Sequence, residues 1–393
     1  MLMWYIIFVL LILFTGGGLL YLGTRVAKFV PAGSTPKRRL LIGLSAVILI
    51  FAVIAWLINL MNAVVCLLHF VFLWLVCDFI FTLVRRFRKR PFKRYYAGYA
   101  AIALSLAALL AGWYLNHRVW VTAYTIESEK AVSDLRIVLF ADSHIGTTFD
   151  GEGFAKHVRA MQEQNPDLVV IAGDFVDDGT GREEMVAAAR ALGTLKTPRG
   201  VYFAFGNHDK GYHNPAVRGF TGSDLTAELK KNNVKILEDE YRKIPGGFYL
   251  IGRKDMSENL HGNARAEMTE LVKDLDPDKF SVVLDHQPND YQNQTTAEVD
   301  LVLSGHTHGG QLFPLNKVGE WIGANDKTYG LEKRNKTNFI VTSGLSDWAI
   351  KFKTGTKSEF VVIDIKRKAA TERQITFSAP FSRTNRRKTE SIA

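Results

Sequence analysis

Four apolar stretches, about Leu2–Leu22, Leu40–Met61, Asn62–Val84 and Tyr95–Leu115, fill the first third of this 393-residue chain. Each approaches or exceeds the ~20 residues that carry a helix across a hydrocarbon core. Because lipid satisfies no backbone N–H or C=O, consecutive spans of this kind fold as helices packed on one another. Asp78 is the single formally charged residue among them. No basic residue precedes the first stretch and no small-residue cleavage site follows it, so it reads as a retained helix rather than a signal peptide.

Charge orients the bundle. Residues 1–120 hold 13 of the 49 Lys/Arg and one of the 39 Asp/Glu, which leaves 121–393 with 36 basic and 38 acidic residues. The later part is about neutral, so the net charge of +10 is no sign of a nucleic-acid partner. Twelve of the 13 basic residues fall in two loops, Arg25–Arg39 and Arg85–Arg94, which the positive-inside rule assigns to the cytoplasm. The expectation is a multi-pass cell-membrane protein, with the lipid bilayer as partner and the domain after the spans outside the cytoplasm. Trp4, Trp56, Trp113 and Trp120 suit the outer aromatic belt. Asn62, Cys66 and His69 recur at i, i+4 and i+7 as one polar stripe, expected to hydrogen-bond between helices. The two cysteines, Cys66 and Cys77, are expected to serve packing.

Domain limits follow from composition: a transmembrane region at 1–117, a linker at 118–133, a folded domain at 134–378 and a basic, disordered tail at 379–393. In the folded domain, short β-branched runs alternate with amphipathic helical patterns at Glu152–Gln164, Arg182–Leu195, Ser223–Asn232 and Ala264–Leu275. Val234–Glu238, Arg242–Ile244 and Phe248–Gly252 read as short strands around a Pro245-Gly246-Gly247 turn. Asn338–Thr342, Phe360–Ile365 and Gln374–Phe377 read as strands without helices between them. The fold class expected is α/β, two packed sheets flanked by helices behind a four-helix membrane region.

Five fragments stand out, most of them directly after a strand-like run: Asp142-Ser-His144, Gly173-Asp174, Gly206-Asn-His-Asp209, Asp285-His286 and Gly305-His-Thr-His308. They supply seven oxygen or nitrogen ligands and one spare histidine, gathered where open α/β sheets place their sites. In extended backbone residues i and i+2 share a side, so Asp142 with His144, and His306 with His308, can each face one cavity. Asp174, after a permissive glycine, is the candidate bridge between two cations about 3.5–4 Å apart, the spacing at which a shared hydroxide attacks phosphorus in line. Carboxylate, amide and imidazole without thiolate suit Mn, Fe or Zn.

Together these fragments resemble the pattern of the calcineurin-like metallophosphoesterase family over about residues 134–365, and Ser304–Gln311 resembles its membrane-associated bacterial branch. The resemblance implies one divalent metal ion on Asp142, His144 and His308, a second on Asn207, His286 and His306, and Asp174 bridging. His208 stays off the metals and, oriented by Asp209, protonates the leaving group or polarises the phosphoryl group. The function implied is hydrolysis of a phosphoester or pyrophosphate by metal-activated hydroxide on a phosphorylated substrate, lipid-linked or in the cell envelope. The alternatives are an extracellular nucleotide phosphodiesterase, and a receptor or transporter with a ligand-binding phosphoesterase-like domain. Tyr212 and His213, just past the third motif, are candidates to line the substrate cleft, with a solvated loop the alternative, and Asp177 and Asp178 are candidates to meet a substrate or support the ligands, with ordinary turn chemistry the alternative.

Overall fold

A computed structural model of the chain describes residues 2–31, 33–88, 92–130, 132–212 and 218–368. The apolar stretches form α1 (Leu2–Val26), α2 (Pro36–Leu57), α3 (Leu60–Arg88) and α4 (Tyr96–His117), all four long and apolar enough to cross a membrane. Thr35 caps α2 by accepting from the Arg38 N–H, with Pro36 at the first helical position where its missing donor costs nothing. The lone acid of the bundle is satisfied: Asp78 accepts from the Tyr95 hydroxyl at 2.7 Å and pairs with Arg25 at 2.8 Å.

The expected linker at 118–133 is corrected by the structure. Val119–Ser128 is a strand, β1, which follows α4 after one residue and pairs in parallel with β12 (Ser358–Arg367) along its whole length. The remaining strands are β2 (Leu135–Phe140), β3 (Leu168–Ala172), β4 (Val201–Ala204), β5 (Val234–Ile236), β6 (Glu240–Ile244), β7 (Phe248–Gly252), β8 (Phe280–Leu284), β9 (Leu301–Ser304), β10 (Gly330–Arg334) and β11 (Thr337–Val341). They form two six-stranded sheets, β1-β12-β2-β3-β4-β5 and β10-β11-β9-β8-β7-β6. Strands β2 to β5 of one sheet, and β7, β8, β9 and β11 of the other, run parallel.

The two-residue period of the strands builds the layers. Ile137 and Leu139 of β2 point between the sheets, where they meet Leu250, Val282 and Leu303. Val138 and Phe140 point outward against Phe154 of α5 (Gly151–Gln162), Met185 of α6 (Arg182–Leu192) and Leu225 of α7 (Gly222–Lys231). The other sheet is covered by α8 (Met268–Val272) and α9 (Tyr291–Thr296) through Leu271 and Tyr291. The helix expected over Ala264–Leu275 shrinks to the five residues of α8. There are also 3-10 turns at Ala27–Phe29, Met256–His261 and His308–Gly310, and a short helix α10 (Val318–Trp321). The expected strand at Gln374–Phe377 and the tail at 379–393 lie outside the described residues.

Contrary to the helix-to-helix bonding expected from the sequence, among the described residues the polar stripe of α3 bonds a loop of the following domain. Asn62 Nδ2 donates to the Ala349 carbonyl at 2.9 Å, and its Oδ1 accepts from the Lys351 N–H at 2.9 Å. His69 Nε2 lies 2.9 Å from the Thr354 hydroxyl, and the Lys353 N–H donates to the Gly112 carbonyl of α4 at 3.0 Å. The irregular loop backbone thus takes hydrogen-bond partners from the apolar helices it packs against.

Candidate metal centre

Among the described residues, three clusters of side chains that could ligate a metal stand at the carboxyl ends of the parallel strands: Asp142, His144 and His308; Asp174, His286 and His306; Asp177, Asp178 and His208. The expected ligands therefore converge from both sheets. Asp142 and His144 follow β2, Asp174 follows β3, Asn207 and His208 follow β4, His286 follows β8, and His306 and His308 follow β9.

The backbone is bent hard to bring them in. Asp142, His144, Asp174, His306 and His308 all have positive φ, between 38° and 69°, a region that non-glycine residues enter at a cost and that clusters at functional sites. Two of the motif glycines are required by close approach. A Cβ on Gly206 would strike the Asp174 carboxylate, and one on Gly305 would strike that of Asp142.

Asp174 joins the first two clusters. Its Oδ2 lies 3.1 Å from His286 Nε2 and 3.7 Å from His144 Nε2, while Oδ1 accepts from the His208 N–H at 2.9 Å. Asn207 Oδ1 lies 3.2 Å from His286 Nε2 and 2.9 Å from His306 Nδ1. His286 Nδ1 donates to the Ala172 carbonyl at 2.7 Å, which leaves Nε2 as the nitrogen that faces the site. On the other side, His308 Nε2 and His144 Nε2 stand 3.7 and 4.0 Å from Asp142 Oδ1. Both Asp142 oxygens accept from the His306 N–H at 3.0 Å, tying the two clusters together.

Electrostatics fit a cation site. Burial opposes charge on His144, yet Asp177, Asp174 and Asp142 outweigh it and push its pKa up to about 9. Against the same burial penalty, the Asp174 carboxylate holds His286 well above the usual imidazole range. Burial pushes His306 down to about 4, helped by its neighbour His286, and pushes His308 down to about 3. Buried carboxylates thus draw protons onto two imidazoles where divalent ions would supply the positive charge, and metal binding would displace them. Both ring nitrogens of His144 are buried without a hydrogen bond; Nδ1 faces Asp177 Oδ1 at 3.6 Å, and a cation coordinated by Nε2, which faces Asp142 and Asp174, would satisfy the other. The residues present fit two divalent ions.

The role expected of Asp209 is corrected. Its buried carboxylate turns away from the imidazole of His208 and accepts from four backbone N–H groups: Asp174 at 2.8 Å, Phe175 at 2.8 Å, Val176 at 3.2 Å and Gly206 at 2.7 Å. It fixes the turn that carries Asp174. The carboxylates beside the His208 ring are Asp178, 3.1 Å from Nδ1, and Asp177, 3.6 Å from the same atom. Tyr212 bonds Glu258 and stacks on His261, with ring centroids 3.7 Å apart, and His213 lies outside the described residues.

Two participants escaped the motif reading. Asp347 places its carboxylate 3.1 Å from His308 Nδ1, and the Trp348 ring lies 5.8 Å from that of His208. Burial pushes Asp347 up to about 7. The available signal was an apolar run, Thr337–Val341, followed by a glycine at positive φ, Gly344, and then an acid. It lacked the histidine that marks four of the five motifs.

Residues 135–310 match the calcineurin-like phosphoesterase family. An uncharacterized metallophosphoesterase of Campylobacter jejuni is 30% identical over 252 residues, 63% of each chain. A Danio rerio transmembrane protein with metallophosphoesterase domain is 30% identical over 282 residues, 67% of this chain and 62% of the relative. The chain thus spans just under two thirds of the length of these two relatives. An uncharacterized metallophosphoesterase of Bacillus subtilis is 28% identical over 286 residues, 67% of this chain and 94% of its own. A solved Thermus thermophilus structure aligns at 12% identity and a TM-score of 0.37, covering 55% of this chain and 91% of that one. With two sheets flanked by helices and the ligand clusters at the strand ends, the chain carries a calcineurin-like metallophosphoesterase domain behind four apolar helices.

Proposed function

We propose that the chain is a multi-pass membrane phosphoesterase that depends on two divalent metal ions. In this reading the catalytic domain faces the extracytoplasmic side and hydrolyses a phosphoester or pyrophosphate borne by the membrane. One observation carries the membrane-borne part. The loop that brings Asp347 and Trp348 to the metal centre runs directly on into Ala349–Thr354, which is bonded to α3 and α4. The orientation is supported by the loops Arg25–Arg39 and Arg85–Arg94, which leave the helices at the ends opposite to those that meet the domain.

Two bound divalent ions supply Lewis acidity toward the phosphoryl oxygens and lower the pKa of water in the site. The chain's residues do the rest. Asp142, His144 and His308 would hold one ion, Asn207, His286 and His306 the other, and Asp174, facing both clusters, would be shared between them. His208, with Asp178 at its Nδ1, stands beside them to protonate the departing alkoxide oxygen.

Full-length protein in lipid nanodiscs, loaded with Mn²⁺, should turn over a chromogenic phosphodiester and lose that activity to a chelator. It should prefer lipid-linked phosphates and pyrophosphates to free nucleotides, and protease added to spheroplasts should reach the domain. Binding without turnover under every metal tried would move the chain to a receptor class. A preference for free nucleotides would remove the membrane-borne substrate.

A further inference from the structure

We propose that the segment Leu312–Gly323, between the fifth motif and β10, inserts into the extracytoplasmic face of the bilayer beside α3. The inference rests on the reading of α1–α4 as membrane spans.

Water is a poor solvent for this segment. Phe313, Leu315, Trp321 and Ile322 are 57, 60, 73 and 69% exposed. The two charges of the segment are disposed unequally: Glu320 is turned inward to accept from the Thr328 N–H at 2.7 Å, while Lys317 stays exposed. An apolar surface with one lysine and no exposed carboxylate suits the boundary of acyl chains and headgroups, where a lysine extends its ammonium toward water.

The segment is also held against a span. The Phe313 ring packs edge-on against Phe72 of α3, centroids 6.4 Å apart, and the Phe313 N–H donates to the Thr354 hydroxyl at 3.1 Å. That same hydroxyl meets His69 of α3. Depth follows from helix geometry. Phe72 precedes Arg85, where the basic end of α3 begins, by 13 residues. At ~1.5 Å per residue this is about 20 Å, which in a ~30 Å hydrocarbon core leaves Phe72 about 10 Å inside the far boundary. A protein loop at that level needs its backbone groups satisfied by protein, and the bonds from Asn62, His69 and Gly112 to Ala349–Thr354 do this for the neighbouring loop. The segment begins four residues after His308, and Gln311 accepts from the Gly355 N–H at 2.9 Å. Its insertion sets the mouth of the metal centre at headgroup level.

Nitroxide labels test this in the full chain, with Cys66→Ala and Cys77→Ala removing the native thiols. Single cysteines replace Leu315, Ile322, Ile50 in α2, and Lys196 in the loop before β4. The protein is placed in phosphatidylethanolamine–phosphatidylglycerol nanodiscs, and oxygen and nickel-chelate collision rates are compared. Labels at 315 and 322 should give an oxygen-to-nickel ratio several-fold above that at 196 and approaching that at 50. Ratios at 315 and 322 equal to that at 196, with 50 reading hydrocarbon, overturn the insertion alone. An aqueous reading at 50 overturns the membrane reading and the insertion with it.

Discussion

Asp209→Asn separates the two roles that Asp209 could play. Oδ2 of Asp209 accepts from the N–H groups of Asp174 and Gly206, and Oδ1 from those of Phe175 and Val176. An asparagine keeps one oxygen, so one pair of donors stays bonded and the other pair faces an NH₂ group. Leaving a buried donor unsatisfied costs about 1–3 kcal/mol, so the pair costs about 2–6 kcal/mol, a large share of an ordinary domain's stability. The loss falls on the turn that carries Asp174, so metal content should fall with it. Asp178→Asn, which touches the His208 ring, should lower turnover while keeping both stability and metals. Urea unfolding and metal analysis of the two variants read the difference. If Asp209→Asn keeps full metal and stability and loses only turnover, the backbone-clasp assignment is wrong and an orienting role returns.

Asp174→Ala should lose both metals and all activity, whereas His208→Ala should keep the metals and lose turnover; the opposite pattern in metal analysis would reverse their roles. His157, beside the Phe149 ring, is pushed down to about 4, with burial the main cause. Its folded pKa lies below the unfolded value of about 6.5, so the unfolded chain binds the proton first and stability falls as pH drops from about 6.5 toward 4. His157→Gln should flatten that part of the difference in thermal midpoint, and a variant that tracks wild type through the window would refute the linkage.

The four apolar helices and the five fragments were legible because each rests on a strong local signal, unbroken hydropathy or a ligand-bearing turn after a β-branched run. Asp209 was misread because adjacency in Asn-His-Asp suggests a pair. The chain turns at 206–209 instead, and carries the carboxylate of Asp209 back under β3 while His208 faces the cleft. Val119–Ser128 was missed as a strand because its long pairing with β12 closes only through residues some 240 positions later. The stripe of α3 was legible as polar but not as to its partner, since its hydrogen bonds cross from residue 62 to residues 349 and 351.

That long-range clamp carries the last prediction. Asp347 and Trp348 touch the metal centre, and the residues from Ala349 to Thr354 touch the spans, so one short loop answers to both. Lys353 sits near its end, fully buried, with Nζ donating to the Ser343 carbonyl at 2.6 Å and N–H to the Gly112 carbonyl. Asn62→Leu removes the amide from the Ala349 carbonyl and the acceptor from the Lys351 N–H. Asn59 Nδ2, 3.3 Å from the same carbonyl, keeps the first partly satisfied, so the larger loss is the stranded Lys351 donor, about 1–3 kcal/mol. The strain is relieved by movement of the loop, and Asp347 moves with it. Affinity for the metal on Asp142, His144 and His308 should therefore fall more than affinity for the metal on Asn207, His286 and His306. Stepwise chelator titration of full-length protein in nanodiscs reads the two sites separately. Equal weakening of both, or none, would mean that the spans hold the domain without reaching its chemistry.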